Sequence, residues 1–276
     1  MSCYDLIALD MDGTLLNTEQ KIAPQALASI REAFARGKQV VLCTGRPVSE
    51  LAFYMDDLSA SGVRYMICES GSLIWDNIKK KVLGRHTLAP ETVQTIVSYI
   101  KDKDIVPDVM SEGQSFFQCD HVPALLTHQM GEFFDMFNRC STKVPDIFDL
   151  IRDRQDRLEK FNLFHTSPLE RDRTLSALGS LPAQIARSEI SAIEFSPLHI
   201  DKGSGLRELA SALNIPMEHI IAAGDADNDL PMITAAGLGL AMGNSNDKVK
   251  SMAGAILPDN DHNGCGWAIE NILLTD

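Results

Sequence analysis

The stretch that decides the fold of this chain runs from Leu6 to Thr14 and reads Leu-Ile-Ala-Leu-Asp-Met-Asp-Gly-Thr. Its first four residues form a short, continuous apolar run, which is typical of a strand buried on both faces of a parallel sheet. The acidic residues and the glycine that follow are turn formers. The stretch therefore predicts a buried strand that carries two carboxylates, Asp10 and Asp12, at its carboxyl end.

Helices and strands alternate on either side of this strand. Apolar residues at helical spacing predict a helix over residues 24–36, and residues 40–43 read as a second buried strand. A helix over residues 48–58 and a strand over residues 65–68 repeat the pattern. In the last third, the same alternation predicts helices over 204–213 and 231–236 and strands over 220–223, 238–242 and 255–257. This order indicates a doubly wound, mostly parallel α/β sheet.

The middle of the chain has a different pattern. Residues 72–83 read as a hairpin, and polar and apolar residues alternate over 115–119 and 191–195. These features predict an α+β insertion with a partly exposed antiparallel sheet. The length of 276 residues also favours two domains, or one large domain with an insertion. The expected division is a core domain over residues 1–83 and 196–276, with an α+β cap domain over 84–195.

Composition excludes several classes of protein. With 45% hydrophobic and 23% charged residues, the chain has the profile of an ordinary globular protein. A net charge of −13 argues against nucleic acid or an anionic membrane as a bulk partner. No apolar run has the length of a membrane span or the form of a signal peptide, and the six cysteines include no Cys-x-x-Cys pair. We therefore expect a cytoplasmic protein with reduced cysteines.

Two acidic clusters follow predicted strands. One contains Asp10 and Asp12, and the other is Gly224-Asp225-Ala226-Asp227-Asn228-Asp229. Either cluster alone would more often be a solvated turn, but carboxyl ends of parallel strands meet at one sheet edge. Two carboxylates about 4 Å apart repel by roughly 4 kcal/mol at an effective dielectric constant near 20, so the arrangement favours a bound cation. Carboxylate oxygens are ligands for Mg²⁺ or a similar ion.

Two further polar segments belong to the same sheet edge. Thr44-Gly45-Arg46 follows the second strand and offers a hydroxyl, backbone N–H groups and a guanidinium. Lys202 opens a predicted helix, where its charge adds to a terminus already suited to anions. Carboxylates with Mg²⁺, a hydroxyl and a lysine together are the groups that phosphoryl transfer requires.

These segments resemble a known family. In chain order, the chain matches the four motifs of the haloacid dehalogenase superfamily, whose members are mostly phosphatases, at Asp10-x-Asp12-Gly13-Thr14, Thr44-Gly45-Arg46, Lys202 and Gly224-Asp225-x-x-Asn228-Asp229. The segments around Lys202 and up to Met232 are similar to the Cof-type subgroup of sugar and cofactor phosphatases. The stretch between Thr14 and Thr44 has room for one helix only, so the cap has to follow the third strand. The resemblance implies that this α+β cap covers the carboxylate pocket.

The resemblance also implies a mechanism. It predicts a Mg²⁺-dependent phosphomonoester hydrolase that works through an aspartyl-phosphate on Asp10, with Asp12 as general acid and base. It places Mg²⁺ on the carboxylates of Asp10 and Asp225 and the backbone carbonyl of Asp12. It makes Asp229 either a further ligand or a residue that contacts one of the ligands. It assigns the phosphoryl oxygens to Thr44, Gly45, Lys202 and Asn228, and Arg46 is a candidate contact to the substrate.

Some alternatives stay open from the sequence. A sugar phosphomutase would use the same core with an acceptor hydroxyl in place of water, and a catalytically inactive protein could bind the same phosphorylated metabolite. A cap limits substrate size and favours a small phosphorylated metabolite over a phosphoprotein. Two positions depart from the family pattern: Ser70 stands where relatives commonly carry Asn, and His199 where they commonly carry Gly. The substrate and the oligomeric state are not predicted.

Overall fold

The computed structural model describes residues 4–275. Its strands are β1 (Leu6–Leu9), β2 (Gln39–Cys43), β3 (Tyr65–Cys68), β4 (Leu73–Asp76), β5 (Lys81–Arg85), β6 (Ile105–Ser111), β7 (Gln114–Gln118), β8 (Thr142–Val144), β9 (Lys160–His165), β10 (Ala183–Arg187), β11 (Ala192–Pro197), β12 (Ile220–Gly224), β13 (Leu238–Ala241) and β14 (Ala255–Ile256). Its α-helices are α1 (Pro24–Ala35), α2 (Met55–Ala60), α3 (Pro90–Ile100), α4 (His121–Ala124), α5 (Phe134–Cys140), α6 (Ile147–Asp153), α7 (Pro168–Leu178), α8 (Lys202–Leu213), α9 (Leu230–Ala235), α10 (Asp247–Met252) and α11 (Gly264–Ala268). No helix within residues 4–275 is long and apolar enough to cross a membrane.

The described chain divides into two compact units. The first contains the chain up to Gly45, then Phe53–Gly84, and the chain from Asp201 onward. The second contains Arg46–Ala52 and Arg85–Ile200. Relative to the predicted insertion over 84–195, the second unit continues further because β11 reaches beyond residue 195 within its own sheet. It also includes a short segment that the sequence pattern placed in the core domain.

The first unit is built on an eight-stranded sheet with the order β14-β13-β12-β1-β2-β3-β4-β5. Strand β1 lies between β12 and β2 and pairs with both in parallel, with Leu9 opposite Ala223 on one side and Leu42 on the other. Strand β4 runs antiparallel to β3 and begins the predicted hairpin. The predicted doubly wound, mostly parallel α/β fold is confirmed. The carboxyl ends of β1, β2 and β12 consequently lie at one edge.

One face of this sheet is covered by α8 and α9. Leu206 and Leu209 of α8 pack in one buried cluster with strand residues such as Ala8 and Ile67. Full burial of a side chain of this kind stabilises the fold by about 1.5 to 3 kcal/mol. Because these residues are completely buried, the start of α8 is held at a defined position on the sheet.

The second unit contains a six-stranded sheet with the order β10-β11-β9-β6-β7-β8, in which only β7 and β8 pair in parallel. The sheet is partly exposed at its two edge strands, β8 and β10, but β7 and β11, whose polar and apolar alternation led to this expectation, are mostly buried. One reason is an aromatic cluster on one face, in which the ring of Phe117 lies 5.1 Å from that of Phe137 and 6.3 Å from that of Phe164. Apolar residues of α3, α6 and α7 cover the other face.

The helix predicted over residues 48–58 is broken in the structure. A single 3₁₀ turn spans Val48–Leu51, and the α-helix α2 begins only at Met55. The backbone N–H of Ser49 donates to the carbonyl of Gly113 at 2.9 Å, and the Ser49 hydroxyl accepts from the N–H of Ser115 at 3.2 Å. These bonds tie the turn to the β6–β7 hairpin of the second unit. Tertiary pairing thus overrides the helical spacing of the apolar residues.

Candidate active site

Three carboxylates meet where β1 and β12 end. Asp10 follows β1, and Asp225 and Asp229 follow β12. One oxygen of each lies within 4.8 Å of one oxygen of each of the others. Asp229 is fully buried, Asp10 is buried and Asp225 is half-buried. The prediction that the two acidic strand ends meet is confirmed, because β1 and β12 are parallel neighbours.

Lys202 brings a positive charge into this cluster. Its Nζ lies 2.5 Å from Oδ1 of Asp10 and 2.6 Å from Oδ1 of Asp229, and its side chain is 1% exposed. Lys202 is the first residue of α8, which Asp201 caps by accepting a hydrogen bond from the N–H of Ser204 at 2.7 Å. Gly71 permits this placement, since a Cβ there would lie 2.1 Å from the carbonyl oxygen of Asp201. The start of α8 therefore fixes the position of the ammonium group.

The charges in the cluster do not balance. Burial raises the pKa of Asp10 well above its ordinary value, and the Asp229 carboxylate raises it further, while Lys202 opposes both. Burial alone would lower the pKa of Lys202, but the carboxylates of Asp10 and Asp229 more than offset this, so its pKa rises. Lys202 therefore stays charged. One ammonium faces three carboxylates, and this excess of negative charge favours a second cation.

Asp225 is tied to the turn that follows β1. Its Oδ1 accepts a hydrogen bond from the hydroxyl of Thr14 at 2.8 Å. Burial raises the pKa of Asp225 from 3.8 to about 6, the bond from Thr14 lowers it, and the charge of Asp229 raises it. Gly13 lies between the half-buried Asp12 and Thr14 with φ +72°, and a Cβ there would lie 2.5 Å from Oδ2 of Asp225. Only glycine fits this left-handed position against the carboxylate.

Asp229 organises the loop after β12. Its Oδ2 accepts from the backbone N–H groups of Asp225 and Ala226, at 2.9 and 3.0 Å, and its Oδ1 accepts from Lys202. Both oxygens are therefore already engaged in hydrogen bonds. Asn228, predicted to bind phosphate, lies in the same short 3₁₀ turn as Asp229 and is exposed.

The segment after β2 is divided between the two units. Thr44 is buried, its N–H donates to the carbonyl of Ile67 at 2.8 Å, and its own carbonyl accepts from Ser70 at 3.0 Å. Thr44 and Gly45 belong to the first unit, as do the carboxylates. Arg46 belongs to the second unit, where its Nη1 lies 3.0 Å from Sδ of Met136.

A divalent metal fits the carboxylate cluster. It offers three acidic side chains with oxygens close enough to share one ion, and hard oxygen ligands of this kind suit Mg²⁺. Within residues 4–275, this is the one group of three or more acidic, histidine or cysteine side chains with such spacing. The cluster could therefore hold a divalent cation beside Lys202.

Comparison with known proteins identifies the family. The family model for haloacid dehalogenase-like hydrolases matches residues 7–269. The chain belongs to the haloacid dehalogenase family. The predicted family, including its Cof-type subgroup, and the prediction of a phosphatase are confirmed. Haloacid dehalogenase enzymes generally use a divalent metal, in agreement with the acidic cluster.

The similarity extends over nearly the whole length of three relatives. The phosphatase YcsE of Bacillus subtilis, named for 5-amino-6-(5-phospho-D-ribitylamino)uracil, is 31% identical over 98% of this chain and 96% of its own. YwtE of the same organism carries the same activity in its name and is 27% identical over 97% of both chains. A haloacid dehalogenase-like hydrolase of Bacteroides thetaiotaomicron has a crystal structure with a TM-score of 0.84, at 26% identity over 98% of this chain and 99% of that one.

The two departures from the haloacid dehalogenase pattern share a backbone property. Ser70 has φ +57° and His199 has φ +65°. Both lie in the left-handed region, where Gly and Asn are the residues that fit with least strain. Asn and Gly, which the family resemblance leads us to expect at these positions, would fit this backbone conformation with less strain than Ser70 and His199.

One residue at this edge of the sheet was not predicted from the sequence. Asn244 lies in the loop after β13, and its Nδ2 donates to the carbonyl of Gly13 at 2.8 Å. Strand β13 pairs in parallel with β12, so its carboxyl end lies at the same edge as the carboxylates. The position of Asn244 just beyond a predicted strand was the signal that could have identified it.

Proposed function

We propose that this enzyme is a Mg²⁺-dependent phosphomonoester hydrolase that acts on a small phosphorylated metabolite through an aspartyl-phosphate on Asp10. The observation that supports this most directly is that Asp10 contacts Lys202 and also has a carboxylate oxygen within 4.8 Å of oxygens from Asp225 and Asp229. A carboxylate nucleophile, a buried ammonium and two further carboxylates at one sheet edge match the needs of phosphoryl transfer.

Asp10 attacks phosphorus with a carboxylate oxygen, and the bond from phosphorus to the leaving oxygen breaks. Lys202 favours the ionised form of Asp10, against the effect of burial. In this proposal, the non-bridging phosphoryl oxygens are bound by Lys202, the Thr44 hydroxyl, the N–H of Gly45 and the amide of Asn228. Arg46 stays a candidate contact to the substrate.

The carboxylates of Asp10 and Asp225 and the backbone carbonyl of Asp12 would hold Mg²⁺. When bound, the ion supplies positive charge beside the transferring phosphoryl group. Asp229, whose oxygens accept from Lys202 and from the N–H groups of Asp225 and Ala226, then orients these groups. Asp229 is therefore proposed to hold Lys202 and the Asp225 loop in place.

Asp12 transfers the proton in both half-reactions, first as general acid and then as general base. It donates a proton to the leaving oxygen as the phosphoryl group moves to Asp10, and an alcohol departs. It then takes a proton from the water that attacks phosphorus, and the acyl phosphate bond breaks. Asp10 is regenerated as a carboxylate, and the products are the alcohol and inorganic phosphate.

The substrate is proposed to be a small sugar phosphate or a phosphorylated cofactor precursor. Two full-length relatives are named for a phosphorylated ribitylaminouracil, which supports the cofactor-precursor class. The net charge of −13 speaks against nucleic acid as a partner. The five described cysteines are free, which supports a cytoplasmic location.

Phosphate release from 4-nitrophenyl phosphate, with Mg²⁺ and with a chelator, tests the reaction. The wild type and Asp227→Asn are expected to turn over with Mg²⁺, because Asp227 is exposed and pairs with Lys248 outside the cluster. Asp10→Asn is expected to lose activity and to yield no phosphorylated peptide containing residue 10. Mg²⁺-dependent turnover by Asp10→Asn would refute the assignment of the nucleophile.

A panel of sugar phosphates and phosphorylated cofactor precursors, including phosphoribitylaminouracil, tests the substrate class. Release of inorganic phosphate supports a hydrolase, whereas a phosphorylated isomer without free phosphate identifies a phosphomutase. Binding of these compounds without turnover of any of them, or of the aryl ester, identifies an inactive binding protein.

A further inference from the structure

We propose that Asn244 is a positioning residue for Asp12, acting through the carbonyl of Gly13. The inference rests on the proposed role of Asp12 as general acid and base. It starts from one contact, in which Nδ2 of Asn244 donates to the Gly13 carbonyl oxygen at 2.8 Å. These residues are 231 positions apart in the chain, and Gly13 directly follows Asp12.

The turn after β1 cannot set its own conformation. Gly13 has φ +72° and carries no side chain, so its two peptide units rotate more freely than those of other residues. The hydroxyl of Thr14, which donates to Asp225, anchors the end of this turn. The Gly13 carbonyl belongs to the peptide unit between Gly13 and Thr14, and Asn244 holds that carbonyl. Together, the two bonds fix this peptide unit, which is joined to Asp12 through Gly13 alone.

Asn244 is itself held at both ends of its amide. While Nδ2 donates to Gly13, Oδ1 accepts from the backbone N–H of Asn260 at 3.2 Å. The Asn260 side chain in turn donates to the carbonyl of Leu16 at 3.0 Å. Two loops beyond the sheet edge thus brace the segment that carries Asp12, at its middle and at its end.

Loss of this bond should affect one step more than others. Asn244 is exposed, so water replaces a lost hydrogen bond and the cost in stability is small. A displaced Asp12 donates its proton less effectively, which slows departure of an oxygen that needs a proton. A leaving group that departs as a stable anion needs little help from the acid.

The experiment compares phenyl phosphate with 4-nitrophenyl phosphate, which are similar in size but differ in how readily the phenolate leaves. kcat/KM is the quantity to compare, because it includes departure of the leaving group but not the later hydrolysis of the phosphoenzyme. For Asn244→Ala, we expect a loss of about tenfold with phenyl phosphate and about twofold or less with 4-nitrophenyl phosphate.

A matched variant serves as the control. Asn246 lies in the same loop and is also exposed, but its amide donates to Asp227 and its oxygen accepts from Val249. Asn246→Ala is expected to change both kcat/KM values by the same small factor.

Hydrogen exchange provides a readout that does not depend on activity. The peptide covering residues 10–16 should exchange faster in Asn244→Ala than in the wild type or Asn246→Ala. Equal losses with both substrates, or unchanged exchange in this peptide, would overturn the positioning role. If Asp12→Asn shows the unequal loss and Asn244→Ala does not, the proposed function stands without this inference. If the wild type hydrolyses neither phenyl phosphate nor 4-nitrophenyl phosphate, both the proposed function and the inference about Asn244 are wrong.

Discussion

Nζ of Lys202 lies 2.5 Å from Oδ1 of Asp10, although the two residues are 192 positions apart in the chain. The same nitrogen contacts Asp229 at 2.6 Å. A single buried ammonium therefore neutralises part of the charge on two strand ends. Removing one partner from such a group is costly, because a buried charge is left without compensation.

Lys202→Met is expected to lower the free energy of unfolding by about 3 to 5 kcal/mol in metal-free buffer. Mg²⁺ should recover part of this loss, since it neutralises the same carboxylates. Lys248→Met is the control: Lys248 is exposed and pairs with exposed Asp227, a bridge worth about 0 to 1 kcal/mol. Urea unfolding of both variants, with and without Mg²⁺, measures the difference. Equal losses in the two variants would contradict the buried-charge account.

Asp201→Ala is expected to reduce stability by about 1 kcal/mol, because it removes the cap of α8. It should also weaken competitive inhibition by inorganic phosphate by about fivefold, since that corresponds to about 1 kcal/mol and Lys202 is the next residue. Asp146→Ala removes a comparable cap, from α6 in the second unit. It should cost similar stability and leave the inhibition constant unchanged. An equal change in inhibition would show that the effect is not local to Lys202.

Thr14→Val is expected to weaken Mg²⁺ binding by about tenfold, because a hydrogen bond to a carboxylate is worth about 1.5 kcal/mol. The Thr14 hydroxyl lowers the pKa of Asp225 and orients its carboxylate. Isothermal titration with Mg²⁺ measures the affinity without turnover. Thr234→Val is the control, since that hydroxyl donates to the carbonyl of Leu230 within α9. Unchanged affinity in Thr14→Val would argue against Asp225 as a ligand.

Asp108 in the second unit predicts a pH effect on stability. Burial raises its pKa from 3.8 to about 6, although Ser115 and Asn162 donate hydrogen bonds that lower it. Between these values the folded chain binds more protons than the unfolded chain, so this group makes the free energy of unfolding fall as pH rises from about 4 to about 6. Above about pH 6, Asp108 is ionised in the folded wild type, so the full cost of burying its charge lowers the free energy of unfolding at neutral pH.

Asp108→Asn mimics the protonated form at every pH. Relative to this variant, the wild type should lose on the order of 1 to 3 kcal/mol of stability between about pH 4 and about pH 7. Urea unfolding of both proteins across this range measures the difference. Asp102→Asn changes an exposed carboxyl just before β6. Its free energy of unfolding should depend on pH in the same way as that of the wild type. If the difference in the free energy of unfolding between the wild type and Asp108→Asn stayed constant across this pH range, the prediction would be wrong.

Sequence pattern predicts the site where backbone geometry determines it. Asp10 and Asp225 could be placed together because each follows a buried apolar run, and parallel strands bring their carboxyl ends to one edge. The shared contact of Lys202 with Asp10 and Asp229 could not be predicted. It depends on where α8 begins on the sheet, and that is set by packing between residues far apart in sequence.

The break in the helix over residues 48–58 was equally beyond local reasoning. Apolar spacing records which side chains avoid water, but it does not report that the N–H of Ser49 has a partner at Gly113. Asn244 is a polar residue in a loop, and its bond to Gly13 joins two loops through one amide. Such pairings between distant loops leave no periodic signal.

The Ser49–Gly113 bond has a consequence for protein engineering. The second unit is encoded by two separate stretches, Arg46–Ala52 and Arg85–Ile200, and this bond links them. A chimera that exchanged only the longer stretch with a relative would join a foreign hairpin to a native turn. Exchanging the second unit for that of a relative therefore calls for transplanting both pieces together, including the short one that comes immediately after Thr44 and Gly45.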